Sequence, residues 1–442
     1  YSAEEILRNE VLQMSYDLPV NFPRLYLNQQ DGVYLKTLLS AKGEIRIHVN
    51  SSMVWENIRV PNIVGYVRGT TIPSETIVVT ACYDSWSIVP ALSEGATDAL
   101  GIAVLLDLAR FLAEHPPSRS VLLLALSGHY QSLWGAREFV DRHFDDLHSM
   151  KALASLDLAT ESRQLGIYST GSTYSFQNIA GLNNRYTWLV LKFFREYLPE
   201  LQKRFGSHYG EDFVDRILLT HPSYAESSPN IDFAGTYAFD SEPYTLAVFG
   251  GGFTYHTTNS LRLYQRTPFD TYERLTLDNL WPQASFIFGT LWGLMNEPSV
   301  QLQQDPARAG PQDWGYFTIT IQVSEYNVLS NYWSPFDSLN HPDEWEDILV
   351  HLKVQPTTTF SVYATGGTSY PVSFFQLGGI DLVMRPNENG KIVVKGMKPY
   401  ESGTVDAFVV NRTNGRIEWA TDLGAYQAPP STGRSVTFTT ER

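Results

Sequence analysis

At 442 residues the chain is too long for one ordinary domain, which predicts two or three units. Its apolar and charged fractions, 43% and 18%, exclude a disordered or fibrous protein. The formal charge of −15 excludes nucleic acid as the main partner, because phosphate binding needs a basic face.

A single cysteine, Cys82, rules out an intrachain disulfide framework and any multi-cysteine zinc site. No apolar run reaches bilayer-spanning length, and Ala284–Met295 reads as a buried helix. The chain opens on Tyr-Ser-Ala-Glu-Glu, with no initiator Met or signal peptide. It therefore reads as a processed or excised piece of a protein whose parent is a candidate for membrane anchoring, in an extracytoplasmic or secreted setting.

In chain order, Phe22–Leu39 followed by Glu44–Val49 predicts strand, helix, strand, part of a domain rather than a whole one. From about Asn62 to Met295, short apolar runs alternate with helical spacing. Thr76–Ala81, Val121–Leu126, Leu153–Leu158, Leu165–Tyr168 and Thr245–Phe249 have strand length and the unbroken apolarity of strands buried on both faces. Between the first two, Asp98–Glu114 is apolar at Leu100, Val104, Leu105, Leu108, Phe111 and Leu112, a helix stopped by His115-Pro116-Pro117. The alternation predicts an α/β fold, a mostly parallel mixed sheet flanked by helices.

Residues 296–313 are polar and rich in Pro, Gln and Asp, which predicts a linker. Beyond it, Tyr316–Val323, His351–Val354, Thr358–Ala364, Ile380–Met384, Lys391–Lys395 and Gly403–Val410 are short β-branched or alternating runs. They predict a C-terminal β-sandwich over 314–442, with one helix-like interruption at Pro342–Ile348.

Reactive groups in parallel α/β sheets gather beyond the C-terminal ends of the strands. The first strand ends in Cys82-Tyr83-Asp84-Ser85, and a loop then delivers Glu94-Gly95-Ala96-Thr97-Asp98 to the next helix. The second runs into Ser127-Gly128-His129-Tyr130, the third carries Asp157, and a glycine-rich turn leads to Tyr255-His256-Thr257. Each has an ordinary reading. Cys82 suits a small core residue, Asp98 a helix-starting anion, and His129 and Tyr130 polar residues closing a pocket. His256 suits a hydrogen-bonded structural histidine. Asp157 is harder to explain so, because a buried carboxylate needs a partner.

Together these segments resemble the M28 metallopeptidase family. IVVTACYDS resembles its strand ending in His-x-Asp-Ser, and EGATDALGIAVLLDLARFL the loop and helix carrying its bridging Asp. SGHYQSLWGAREFV is similar to the Glu-Glu segment, LASLDL to the next acidic ligand, and DSEPY with YHTTNS to the final stretch. The match spans roughly residues 60 to 297, with six segments in order. It implies a zinc-peptidase-like α/β domain over 56–295, while residues 1–55 resemble the close of a protease-associated domain.

The family holds two zinc ions and uses a Glu as general base, so the resemblance assigns positions. Asp98, Asp157 and His256 stand at metal-ligand positions unchanged, and Asp84 stands just outside the ligands. Cys82 replaces the first His, Tyr130 replaces a Glu ligand, and His129 stands at the general-base position. The implied zinc is one ion or none rather than two. The expected function is a catalytically impaired binding or scaffolding module for peptide or glycan ligands. The rival expectations are an active metallohydrolase with a non-standard zinc site and a structural ectodomain of a membrane assembly. About ten extra residues between His256 and Asp270 mark where that side of the cleft departs from the family's spacing, and the long segment from Arg185 to Ala238 is a candidate to cover it.

Overall fold

The computed structural model describes residues 25, 27–50, 58–168, 171–174, 193–218, 237–248, 251–297, 316–354, 361–364, 368–371, 380–398, 402–410, 417–427 and 435–441. The first helix, α1 (Gln29–Lys42), starts where the Asn28 side chain accepts the Asp31 N–H at 2.8 Å and ends at Gly43, whose φ of 73° favours glycine. The strand predicted at Glu44–Val49 does not form. Its alternation at Ile45, Ile47 and Val49 finds no neighbouring strand among the described residues, and alternation without a ladder partner makes no sheet. The strand predicted at its other flank begins outside the described residues.

The central sheet contains β1 (Ile63–Val67), β2 (Ile72–Cys82), β3 (Arg119–Leu126), β4 (Met150–Asp157), β5 (Leu165–Tyr168) and β6 (Gly252–Thr257) in the order β1-β3-β2-β4-β6-β5. The inner four are parallel, and β1 and β5 run antiparallel at the two edges. This is the mostly parallel mixed sheet that the apolar runs predict. Ile77, Val78 and Val79 of β2 are fully buried, so both faces are covered.

Helix α2 (Ala99–Glu114) buries Leu100, Val104, Leu105, Leu108 and Leu112 along one stripe. At Gly101 it approaches β4 so closely that an added Cβ would lie 2.6 Å from the Leu156 carbonyl oxygen. The other helices are α3 (Trp134–Arg142), α4 (Arg195–Tyr209), α5 (Phe213–Ile217), α6 (Glu242–Val248) and α7 (Leu277–Asn296). Helix α7 contains the predicted buried stretch, with Phe286, Ile287, Leu291, Leu294 and Met295 inaccessible. No helix of the described residues is long and apolar enough to cross a membrane.

One strand assignment is corrected. Thr245–Phe249 is not a strand: Thr245–Val248 belong to α6, every residue of which is buried, and Phe249 lies outside the described residues. A short apolar run buried all round shows neither a helical nor a strand period. The sheet position falls instead to β6, whose Gly-Phe-Thr-Tyr-His-Thr sequence is buried throughout.

The C-terminal region is β-rich. It contains β7 (Phe317–Asn327), β8 (Tyr332–Pro335), β9 (Ile348–Val354), β10 (Ser361–Ala364), β11 (Thr368–Pro371), β12 (Ile380–Met384), β13 (Lys391–Met397), β14 (Ser402–Val410), β15 (Ile417–Gln427) and β16 (Ser435–Glu441). One sheet runs β12-β9-β14-β15; a second runs β13-β7-β16 with β8 on β7. β10 and β11 form a hairpin. The helix-like stretch at Pro342–Ile348 contains only a 3-10 turn at Trp345–Asp347. The predicted linker lies outside the described residues except for its first two.

Side chains of the two regions share one buried cluster: Leu124, Val140 and Tyr244 with Phe317, Ile321, Val350, Leu382 and Val394. Polar contacts cross the same boundary. Arg137 donates to the Lys395 carbonyl at 3.0 Å, the Tyr316 hydroxyl to the Arg137 carbonyl at 2.5 Å, and the Tyr174 hydroxyl to the Gly396 carbonyl at 2.6 Å.

Candidate functional site

The strand ends deliver their residues to one place. Cys82 at the end of β2, Asp98 at the start of α2, His129 and Tyr130 after β3, and Asp157 at the end of β4 all line one cleft. Asp157 pairs in register with His256 of the parallel β6, which sets their side chains on the same face. Four more polar side chains that strand-end reasoning missed wall the cleft: Tyr237, Arg262, Gln265 and Arg266.

Around Asp157 the charges are paired. Its Oδ2 meets His256 Nδ1 at 2.7 Å, and its Oδ1 accepts from Arg262 Nη1 at 2.5 Å. Arg262 Nη2 also reaches the Asp157 main-chain oxygen at 3.1 Å and lies 3.2 Å from His256 Nδ1. The Arg262 side chain is 3% exposed, and its guanidinium lies over the Tyr237 ring at 4.8 Å. Burial opposes ionisation of Asp157, but Arg262 and His256 outweigh it and hold the carboxyl well below the usual range.

Around Asp98 the pattern is neutral donors on a carboxylate. Its Oδ1 accepts from the Tyr130 hydroxyl at 2.5 Å and from Gln265 Nε2 at 2.6 Å. Its Oδ2 is buried with no hydrogen-bond partner. Burial pushes the Asp98 carboxyl up, while the two hydrogen bonds pull it down. Burial and the neighbouring Asp98 push the Tyr130 phenol well up, so it stays a donor at neutral pH. Arg266 lies over the Tyr130 ring at 5.0 Å.

The third group surrounds His129. Its main-chain N–H donates to Asp84 Oδ2 at 3.1 Å, and its Nδ1 lies 3.2 Å from Asp240 Oδ2. Burial works against the imidazolium, yet Asp240 overrides it and pushes the His129 pKa up to about 9. Asp84 itself is raised by burial. Burial and then Asp240 push the Cys82 thiol well up. Cys82, His129 and Asp240 each offer one ligand atom, all within 4.8 Å of one another. This is the set of metal-capable side chains that lies together among the described residues. Asp240 had one sequence signal, the Asp-Ser-Glu-Pro-Tyr segment, but nothing there told it from its neighbours.

Arg262, Gln265 and Arg266 come from the extra residues between His256 and Asp270. Non-glycine backbone turns left-handed there at Asn259 (φ 51°), Arg262 (φ 47°) and Arg266 (φ 68°), a costly conformation held by its surroundings. The Glu161 carboxylate accepts the N–H groups of Arg262 and Leu263, both at 2.8 Å, and the Ser260 hydroxyl at 3.1 Å. At the far end Asp270 accepts the Thr97 N–H at 3.0 Å and hydroxyl at 2.6 Å. The long segment from Arg185 to Ala238 contributes α4 and α5 to the packing beside α7, and Tyr237 to the cleft; its residues 185–192 and 219–236 lie outside the described residues.

A parallel sheet flanked by helices, with carboxylates and a histidine gathered at its C-terminal strand ends, defines an α/β domain of the zinc-peptidase class. The model of peptidase family M28 matches residues 62–282, half of the chain. The chain belongs to peptidase family M28. A Leptosphaeria maculans protein named "Probable zinc metalloprotease" is 38% identical over 84 residues, 18% of this chain and 20% of that one. A Zea mays protein named "Probable glutamate carboxypeptidase" is 31% identical over 121 residues, 26% of this chain and 16% of that one. The chain thus spans about a fifth of the length of these curated relatives. A zinc aminopeptidase structure from Bacillus subtilis aligns over 57% of this chain and 52% of its own, at 16% identity and a TM-score of 0.37.

Proposed function

We propose that this M28 domain keeps the cleft as a binding site for peptide or glycan ligands and does not hydrolyse them. The setting is extracytoplasmic, and the C-terminal sheets stand beside the cleft as a β-sandwich. The observation that carries this reading is the state of Asp98. The family resemblance puts the metal-bridging carboxylate here, yet its Oδ1 already accepts two short hydrogen bonds from Tyr130 and Gln265. A side chain that donates a proton to the bridging oxygen takes the place of one that would share a cation with it.

Two zinc ions therefore do not fit this donor set. The neighbouring groups support the same conclusion, since the remaining ligand pair is engaged by a guanidinium. With its pKa pushed up to about 9, His129 is protonated at neutral pH and has no free lone pair to take a proton from water. Water that no metal acidifies keeps a pKa near ~15.7 instead of ~7, a deficit of about eight powers of ten in hydroxide. Amino- and carboxypeptidase assays of the purified protein, with and without added zinc, test the reading. No turnover is expected. Turnover lost on chelation and in Asp98→Ala would overturn it.

One observation favours a second reading, a single cation held by Cys82, His129 and Asp240. Cysteine, histidine and carboxylate form an acceptable zinc set, but binding must displace protons from the thiol and the imidazolium. Stoichiometric zinc after purification, absent in Cys82→Ser, would establish it. Elemental analysis finding none would remove it.

A further inference from the structure

The hairpin of β7 and β8 reaches past the rest of its sheet. β13 pairs with β7 from Phe317 to Gln322, and β16 pairs with it from Thr318 to Ser324. Beyond Ser324, β8 alone accompanies β7 among the described residues, so Tyr326 to Trp333 form a finger. Projecting loops are usually polar. Here the stretch from Tyr326 to Ser334, Tyr-Asn-Val-Leu-Ser-Asn-Tyr-Trp-Ser, carries no charged side chain. Leu329 at its tip is 99% exposed and Val328 78%, with Tyr332 and Trp333 exposed just behind them.

We propose that this finger is a membrane-contact element for a zwitterionic lipid surface. Val328 and Leu329 enter the boundary between headgroups and acyl chains, while Tyr326, Tyr332 and Trp333 settle at the headgroup level. The inference stands on the C-terminal sheets and not on the cleft, so it goes beyond the reading of the cleft and does not depend on it.

Three observations carry it. First, the chemistry is layered along the finger. The aliphatic pair occupies the tip, and behind it Tyr326 faces its register partner Trp333 with ring centroids 4.9 Å apart. Such amphipathic rings favour the level where hydrocarbon meets headgroups. Charge begins at Glu325, which pairs with His341 at 3.1 Å. Second, the tip satisfies its own backbone. Asn327 Oδ1 accepts the Leu329 N–H at 3.0 Å and the Ser330 N–H at 3.1 Å, and the Tyr326 hydroxyl bonds the Asn331 side chain. A turn whose donors pointed to water would lose those bonds on entering lipid.

Third, size and charge select the partner. A few side chains on a convex finger fall short of the roughly 800 Å² per partner that a stable protein interface buries. A lipid surface needs no matching pocket. At the base of the finger, His341 leads into the exposed acids Asp343, Glu344 and Glu346, and the chain carries a formal charge of −15. That skirt repels anionic headgroups and leaves zwitterionic lipid as the surface that fits.

Two aliphatic side chains give weak, reversible attachment, since even a myristoyl chain binds with only about 10⁴ M⁻¹. Co-sedimentation with phosphatidylcholine vesicles, and with mixed phosphatidylcholine–phosphatidylglycerol vesicles, tests the proposal. Wild type should be half bound at roughly millimolar phosphatidylcholine, and less on the mixed vesicles. Added salt should not weaken binding, because no attraction between opposite charges drives it. Val328→Ser/Leu329→Ser should lower the partition roughly tenfold or more, with its melting temperature unchanged because both side chains already face solvent. Leu329→Asp is the second variant, should the double one fold poorly, and is read in the same way.

Absence of wild type from the vesicles at several times that lipid concentration would overturn the proposal. So would binding that the variants leave unchanged, or binding that requires the anionic lipid and disappears in salt. Sedimentation velocity covers the remaining occupant: a wild-type dimer that the variants dissociate, without vesicle binding, would assign the finger to self-association and overturn the lipid contact.

Discussion

Asp157→Asn keeps the side-chain volume and removes the charge that holds Arg262. Wild-type Asp157 takes one guanidinium N–H at 2.5 Å and faces His256 Nδ1 at 2.7 Å, with Arg262 itself 3% exposed. Unit charges about 4 Å apart interact by ~4 kcal/mol at an effective dielectric near 20, and breaking a buried pair from one side costs about 3–5 kcal/mol. The asparagine oxygen still accepts one hydrogen bond, which returns about 1 kcal/mol. The expected loss of stability is therefore about 3 kcal/mol. Arg262→Met added to Asp157→Asn removes the orphaned charge, so the double variant should be clearly more stable than the sum of the single losses predicts. Urea unfolding followed by far-ultraviolet circular dichroism at pH 7, with unchanged denaturant slope, measures both. An Asp157→Asn protein within about 0.5 kcal/mol of wild type would refute the pairing as a stabilising element.

His129 is raised from 6.5 to about 9, so its contribution is fully present below pH 6.5 and lost as pH rises through 9. Stability should fall across that window by up to about 3 kcal/mol, and His129→Gln should flatten the profile there. Glu242 is fully buried, and burial raises its carboxyl from 4.5 to about 7 although the Phe239, Thr173 and Tyr174 N–H groups all point at it. Its contribution is present below pH 4.5 and lost as pH rises through 7, so Glu242→Gln should remove the slope between those values in the same unfolding series. Gly101→Ala forces a methyl against the Leu156 carbonyl and should cost about 2 kcal/mol or more by thermal unfolding; a neutral effect would mean that α2 and β4 are not in contact there.

The central strands were legible because strands buried on both faces are written as unbroken apolar runs, as at Ile77–Val79 and Val121–Leu124. The same code misled at Thr245–Val248, where a buried helix carries an equally apolar run, and it missed β6, whose polar side chains are buried through hydrogen bonds. The site residues at strand ends, Cys82, Asp98, His129, Tyr130 and Asp157, were legible because topology alone brings strand ends together. Arg262, Gln265 and Arg266 were not, because a loop's position depends on long-range anchors such as Glu161 that lie about a hundred residues away in sequence. Two clues pointed at them: the surplus length before Asp270, and the need of a buried Asp157 for a counter-charge.

The cluster that joins Leu124, Val140 and Tyr244 to Phe317, Ile321 and Val350 has a consequence for how this chain can be inherited. A composition change near residue 300 looks like a seam where recombination could swap one module for another. Deleting everything from residue 316 onward would expose the underside of β3, α3 and α6 and take the Lys395 carbonyl from Arg137. The C-terminal sheets and the cleft-bearing half are therefore expected to fold as one unit, because either half made alone would be left with an unfinished interior.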